Sequence, residues 1–396
     1  MDRDQGRSDA GASRGPRLTA ILRGKVLPVA KRFGTWIGLG LLAWVVVCVL
    51  VVSSIEVRCR GTGAPPGPAE ARVALPAGPP LPDYARPEDE TYLSYPEWYI
   101  VWSYQEKAEY QRTHLPGGFP YFSAVGQYWT SYCGMNRIVQ GRFPFSPGTH
   151  LMLVVIGTSF TVEYALKSFY ENTVGRVTAF MSGRQPAEED EYAYKVAQDY
   201  ADFVLVRPFY EYSFAKQLGG LWRETSWFGP HMVRKWERKL FLTYDYAVEA
   251  FYCELIEIAT RAIFGVAGSE TYATLEHAAD SVFAANPHIK VVQPLGNRAY
   301  VVIIPRYHEF TPTSLHLARQ GVQYRDIAGN AWVAVSIVGP RAVPDSLAPA
   351  QVLFSDPVVI HPDRQRIVIR APVASLNTFL LKLERTGYTI EHIYDF

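Results

Sequence analysis

An uncharged run from Trp36 to Val52, WIGLGLLAWVVVCVLVV, constrains this chain more than any other stretch. With the small residues beside it, it is long enough as a helix to cross a hydrocarbon layer of about 30 Å. A helix is the form available there, because lipid leaves every backbone N–H and C=O to be satisfied within the segment. The run predicts a transmembrane anchor over residues 35–55. Arg14, Arg17, Arg23, Lys25, Lys31 and Arg32 precede it, and no acid offsets them from Gly11 to Trp36. Beyond it the flank is mixed: Glu56, Arg58, Arg60, Glu70 and Arg72. That asymmetry places the N-terminus in the cytoplasm. A secretory signal peptide would have a shorter apolar run and a small-residue cleavage site. Ser53-Ser54-Ile55-Glu56 fits such a site poorly, so an uncleaved signal anchor in the inner membrane is expected.

The 396 residues leave room for two domains beyond the anchor. A net charge of +1 gives no electrostatic case for nucleic acid. The 25 Tyr, 20 Phe and 9 Trp suit a thick core with membrane-facing aromatics. None of the four cysteines forms a C-x-x-C pair, so no structural zinc site is implied. Cys48 lies in the anchor. On an extracytoplasmic side, Cys59 and Cys133 are candidates for a disulfide tying the linker to the first helices.

The chain divides into a polar tail (1–34), the anchor (35–55), a Pro-rich linker (56–89), a helical domain (90–287) and a C-terminal domain (288–396). GAPPGP and LPAGPPLP make the linker a semi-rigid spacer, expected to hold the next domain off the bilayer. Ser94-Tyr95-Pro96-Glu97 reads as the start of the first helix, with Ser94 as cap. A second helix covers 121–140. The third, over 149–180, opens as LMLVVIG and then places Glu163, Lys167 and Glu171 at intervals of four. Two readings follow. A buried helix with a salt-bridged stripe keeps the bulk of the chain extracytoplasmic. A second crossing near 149–168 makes Glu163 an intramembrane acid and returns the C-terminal region to the cytoplasm.

Pro186 and the acids Glu188 to Glu191 start a helix, and a shorter one follows over 209–222. Gly229-Pro230 opens the longest. Val233, Trp236, Leu240, Tyr244, Val248, Phe251, Leu255, Ile258 and Ala262 recur along it at three and four. That stripe predicts one face buried along the whole helix, the spine of the helical domain. A last helix is expected over 270–285. From Lys290 the pattern turns to strands around 300–304, 322–327, 332–338, 352–354, 366–370 and 388–394, with helices at 311–319 and 372–385. This β-α-β-β-(β)-α-β order resembles a ferredoxin-like sandwich with an inserted strand. The fold class expected is α+β: a transmembrane helix, an all-α middle domain and a ferredoxin-like C-terminal α/β sandwich.

No P-loop, H-E-x-x-H, G-x-S-x-G or Rossmann fingerprint is present, and no cofactor is implied. Glu97 reads as a capping carboxylate, or as an acid in an aromatic pocket. Glu224, Trp227, His231, Arg234 and Glu237, beside Trp222 and Trp236, form the candidate ligand site: cations and indoles at a helix start, suited to a lipid phosphate or carboxylate. Interface anchoring is the plainer account of the same residues. His308-Glu309 needs no more than a turn into a helix. The function expected is a membrane-anchored binding or scaffolding protein, not an enzyme. Its partners are the bilayer and another membrane or envelope protein. The alternatives are an enzyme acting on an amphipathic substrate at the membrane surface, and a small-ligand sensor working through the C-terminal domain.

Overall fold

The computed structural model describes residues 84–263, 268–340 and 347–395, with isolated positions between 46 and 81. Residues 1–34, expected to be a cytoplasmic tail, and most of the stretch expected to be an anchor (35–55) lie outside the described residues. At 46, 49, 50, 53–55 and 57 the backbone is helical.

Helix α1 (Asp89–Gln111) is the spine of the fold. It starts upstream of the expected cap, and Pro96 lies inside it. The reason is tertiary. Thr91 Oγ1 donates to Tyr394 O at 3.2 Å and accepts from Ala334 N at 3.1 Å, which fixes the first turn against the C-terminal strands. Asp89 and Glu90 supply the acids that the helix dipole favours. Ser94 donates to Thr91 O instead of capping, and Glu97 is exposed mid-helix.

Against α1 pack α2 (Tyr121–Val139), α3 (Pro147–Tyr170) and α5 (Glu188–Val204), while α6 (Phe214–Glu224) and α7 (Met232–Ile263) pack on each other and on α5. A π-helical turn, Glu171–Gly175, joins α3 to the short α4 (Arg176–Met181). Gly157 admits the Tyr128 ring, whose hydroxyl donates to Leu153 O at 2.5 Å; a Cβ there would lie 2.0 Å from that ring. Cys59 and Cys133 are joined by a disulfide, and Arg137 Nε donates to Cys59 O. Tyr84, beyond the Pro-rich stretch, bonds Thr274 and Asp326. Most of the Pro-rich stretch, expected as a spacer, lies outside the described residues.

The C-terminal part holds two four-stranded antiparallel sheets, where one sandwich was expected. The first is β1 (Glu270–Glu276), α8 (Asp280–Ala285), β2 (Lys290–Gly296), β3 (Ala299–Pro305), α9 (Phe310–Arg319) and β4 (Gln323–Ile327). Its strand order is β2-β3-β1-β4. The second is β5 (Trp332–Pro340), β6 (Gln351–Val358), β7 (His361–Pro372), α10 (Leu376–Glu384) and β8 (Thr389–Ile393), in order β6-β7-β5-β8. The same order appears twice, so the region is a tandem repeat. The helix expected over 270–285 is a strand followed by one short helical piece. ETYATLE is set by pairing with both β3 and β4, a non-local influence that outweighs local propensity. The first repeat thus begins ahead of the expected boundary at 288. One core runs through both repeats, including Leu275, Ile304, Val335, Ile369, Phe379 and Leu383.

The aromatic motif SYPEWYIVW is the joint between α1 and the second repeat. Trp98 stacks on His392 at 3.7 Å between ring centroids, and Tyr95 packs edge-on against Phe354. Farther along, Glu106 pairs with Arg366 at 3.0 Å. His392 is fully buried and neither ring nitrogen has a hydrogen-bond partner. Burial, then the neighbouring His308 and Arg306, hold its pKa well below the ordinary histidine value. In the unfolded chain it takes up a proton near pH 6.5. Folding stability should therefore be unaffected above that pH and fall as pH drops below it, by up to about 1.4 kcal/mol per pH unit for this one group. Urea titrations at pH 7.5 and 5.5 should show His392→Phe losing less stability on acidification than the native chain. Equal losses would contradict this.

Candidate functional site

Helix α7 carries two opposed faces. One is charged: Arg234, Lys235, Arg238 and Lys239, then Asp245 and Glu249 about two and three turns on. The other is the apolar stripe expected to be the buried spine. The structure reverses that expectation. Val233, Leu240, Tyr244, Val248, Phe251, Leu255 and Ile258 are all exposed, between 45% and 68%, while Arg234, Lys235, Arg238 and Lys239 are buried. A periodic stripe says that residues share a face; it does not say what that face meets. Here the charges have partners inside, so the apolar side is turned outward.

Those partners come from α5 and the π-helical turn. Arg234 meets Asp190 at 2.9 Å and Glu237 at 3.0 Å. Arg238 meets Glu171 at 2.6 Å and Asp190 at 2.9 Å. Lys235 reaches Glu188 at 2.9 Å and Glu189 at 2.8 Å. Lys239 caps the chain with bonds to Thr225 O and Ser226 O. The Ser226 hydroxyl, then Lys235, hold the Glu188 carboxyl down to about 2. Isolated charges could not be buried this deeply; each is tolerated because it is paired and hydrogen-bonded.

A second seam lies higher on the same pair of helices. Lys167 sits among Glu163, Asp245 and Glu249 at 2.8, 3.3 and 3.4 Å. Tyr104 donates to Glu163 at 2.8 Å, and Tyr252 to Ser159 at 2.8 Å. Tyr170 stacks on Phe241 with centroids 3.7 Å apart. These links run antiparallel along α3 and α7 and hold their outer faces side by side.

The outer face of α3–α4 is also apolar. Leu151, Val155, Leu166, Phe169, Val177 and Phe180 are exposed, and no charged side chain is exposed between Leu151 and Phe169. Between Leu240 and Ile258 on α7, Glu254 is the one exposed charge. Pro147–Met181 has a mean hydropathy of 1.3 in its most apolar window and is long and apolar enough to cross a membrane, by length and composition only. Helix α5, by contrast, is polar outside: it exposes Glu191, Lys195 and Asp202.

The structure does not bring the sequence-derived ligand residues together. Arg234 and Glu237 point inward, Glu237 also accepting from Thr178 and Tyr170. All of Arg234's donor nitrogens are engaged by Asp190, Gly175, Thr178 and Glu237. Glu224 and His231 are exposed, and His231 bonds only Gln185 among the described residues. Trp227 is exposed, and packs with Trp222 and Trp236 beneath the Lys239 ammonium, a cation–π arrangement. Glu163 pairs with Lys167 on the inner side of α3. Among the described residues no group of three or more His, Cys, Asp or Glu could hold a metal.

Sequence reasoning missed Glu171, Glu189, Asp190 and Arg238. The signal was present: two basic pairs four residues apart on α7 match the acid run at 188–191. Missed too was an open cleft of about 980 Å³ beside the π-helical turn, lined by Arg112, Arg176, Arg184 and the rim residues Val177 and Phe180.

Removing one member of the inner network should be costly, because its partners stay buried and charged. Arg238→Met should lower unfolding free energy by about 3–5 kcal/mol. Thermal or denaturant unfolding in detergent measures it, and adding Glu171→Gln should recover part of the loss. A cost under about 1 kcal/mol would show that the network does not hold α7. Comparison with family models, with curated proteins and with solved structures finds no match for this chain.

Proposed function

We propose that this chain is a membrane-anchored binding or scaffolding protein whose helical domain is itself embedded in the bilayer surface. The observation that carries this reading is the outward apolar face of α3–α4 and α7. Large apolar side chains on each are exposed, among them Leu151, Val155, Leu166, Phe169, Val177 and Phe180, and Leu240, Tyr244, Val248, Phe251, Leu255 and Ile258. At roughly 1 kcal/mol for each half-exposed side chain withdrawn from water, the face is worth on the order of 10 kcal/mol in lipid. A patch of that kind on a single body is a membrane or protein interaction site.

A face laid into one leaflet fits better than a crossing by α3. The polar side of α5 packs in the same bundle, and its exposed charges would lie in hydrocarbon if the bundle spanned. The Trp222, Trp227, Trp236 cluster near Arg223 suits the interfacial zone, where indoles and arginines gather. The Cys59–Cys133 bond favours an oxidising, extracytoplasmic side, with the tail in the cytoplasm.

The two C-terminal repeats read as ferredoxin-like units that offer a partner their sheet edges. Val291 and Val292 on edge strand β2 and Val352 on edge strand β6 are exposed. Against the enzyme alternative, Arg234's donors are already taken by protein acceptors, while Glu224 and His231 are exposed.

The test uses the full chain in nanodiscs, with a bimane fluorophore on Phe251→Cys. Brominated lipid should quench it strongly, and aqueous iodide weakly. Iodide quenching without bromolipid quenching would place the face in water and end this reading.

A further inference from the structure

The cleft beside the π-helical turn carries charge that the inner network leaves unused. Arg112, Arg176 and Arg184 line it, are exposed, and make no side-chain ion pair or hydrogen bond among the described residues. Its buried carboxylates are committed elsewhere: Glu171 to Arg238, and Asp190 to Arg234 and Arg238. Glu191 is the one lining carboxylate outside those pairs, so the open part of the cleft is cationic. Arg234, on the floor, is saturated by protein acceptors and adds no free donor.

The rim has the opposite character. Val177 and Phe180 line the same cleft and are 60% and 77% exposed. In sequence they follow the exposed Leu166 and Phe169 of α3 across the π-helical turn. A cluster of guanidinium forks therefore lies next to an apolar track. Arginine forks match phosphate oxygens in geometry as well as charge. The track matches hydrocarbon.

We infer that this cleft binds the phosphate headgroup of an anionic membrane lipid, with Arg112, Arg176 and Arg184 on the phosphate and the acyl chains along Val177 and Phe180. The inference rests on the proposal that the α3–α4 face meets lipid. It adds a ligand class and a site, away from the Glu224–Glu237 cluster. A free organic phosphate shares the headgroup chemistry and lacks the chains, so the two sources are separable.

The experiment titrates the full chain, held in phosphatidylcholine nanodiscs, by calorimetry. The probes are dihexanoyl phosphatidylglycerol below its micelle concentration, dihexanoyl phosphatidylcholine and glycerol phosphate. Saturable binding of the anionic lipid alone is expected. It should weaken at least tenfold in the triple variant Arg112→Ala, Arg176→Ala, Arg184→Ala, and several-fold in Phe180→Ser. All four positions are exposed, and an unchanged melting temperature verifies that the fold is kept. Unchanged affinity in the triple variant, glycerol phosphate binding as tightly as the lipid, or no binding at all would each overturn the inference. If the anionic lipid fails to bind while Phe251→Cys is still quenched by brominated lipid, the site alone is refuted and the embedded face stands.

Discussion

The pairing of Arg234 and Arg238 with Asp190, Glu171 and Glu237 decides how the helical domain presents itself. Two guanidinium groups cannot be left in lipid or in an apolar core without partners. Once α5 and the π-helical turn supply carboxylates on one side, α7 has a single rotation available. Its charged face goes in, and Leu240, Tyr244, Phe251 and Ile258 go out. The Lys167 seam repeats the arrangement a few turns higher and fixes α3 beside α7 in the same sense. Buried ion pairs of this kind add little net stability compared with apolar packing. What they set is orientation, and orientation is what creates the outward apolar face.

Much of the architecture can be read from local sequence. The breaks at Gly141, Pro208 and Gly321, and the strands around 300–304, 332–338 and 366–370, follow from turn chemistry and periodicity. What failed was whatever depended on distant partners. In Glu270–Glu276, Thr271, Tyr272 and Thr274 suit a strand, but it is the pairing with β3 and β4 that fixes it as one. Ser94 and Pro96 look like a helix start, but the Thr91 clamp to Tyr394 and Ala334 moves it upstream. The stripe on α7 was located correctly and assigned the wrong environment, because periodicity alone cannot tell a buried face from an exposed one. Of the proposed ligand residues, Arg234 and Glu237 proved to be structural for the same reason. Their partners sit at 171, 178 and 190, on other elements.

The remaining parts fit one arrangement. The aromatic face of α1 grips the second repeat through Trp98, Tyr95 and His392, so the tandem sheets are held on the helical bundle and not on a flexible tether. The disulfide fixes Cys59 to α2, and Tyr84 bonds Thr274 of the first repeat. In the proposed account the bundle is the membrane-binding layer and the repeats are the partner-facing layer. The arginine cleft lies at the edge of the membrane-binding layer, where headgroups would be met.

The most direct test of the embedded face is a nitroxide scan along α3 and α7 of the full chain in nanodiscs, read by collision with oxygen and with a water-soluble nickel chelate. The account predicts a helical oscillation, with oxygen access highest at Leu240, Tyr244, Phe251 and Ile258 on α7 and at Leu151, Val155 and Phe169 on α3. Nickel access should be lowest at the same positions. Nickel access highest at those sites would put the face in water, and immobile labels shielded from both reagents would put it against another protein; either result would contradict the account.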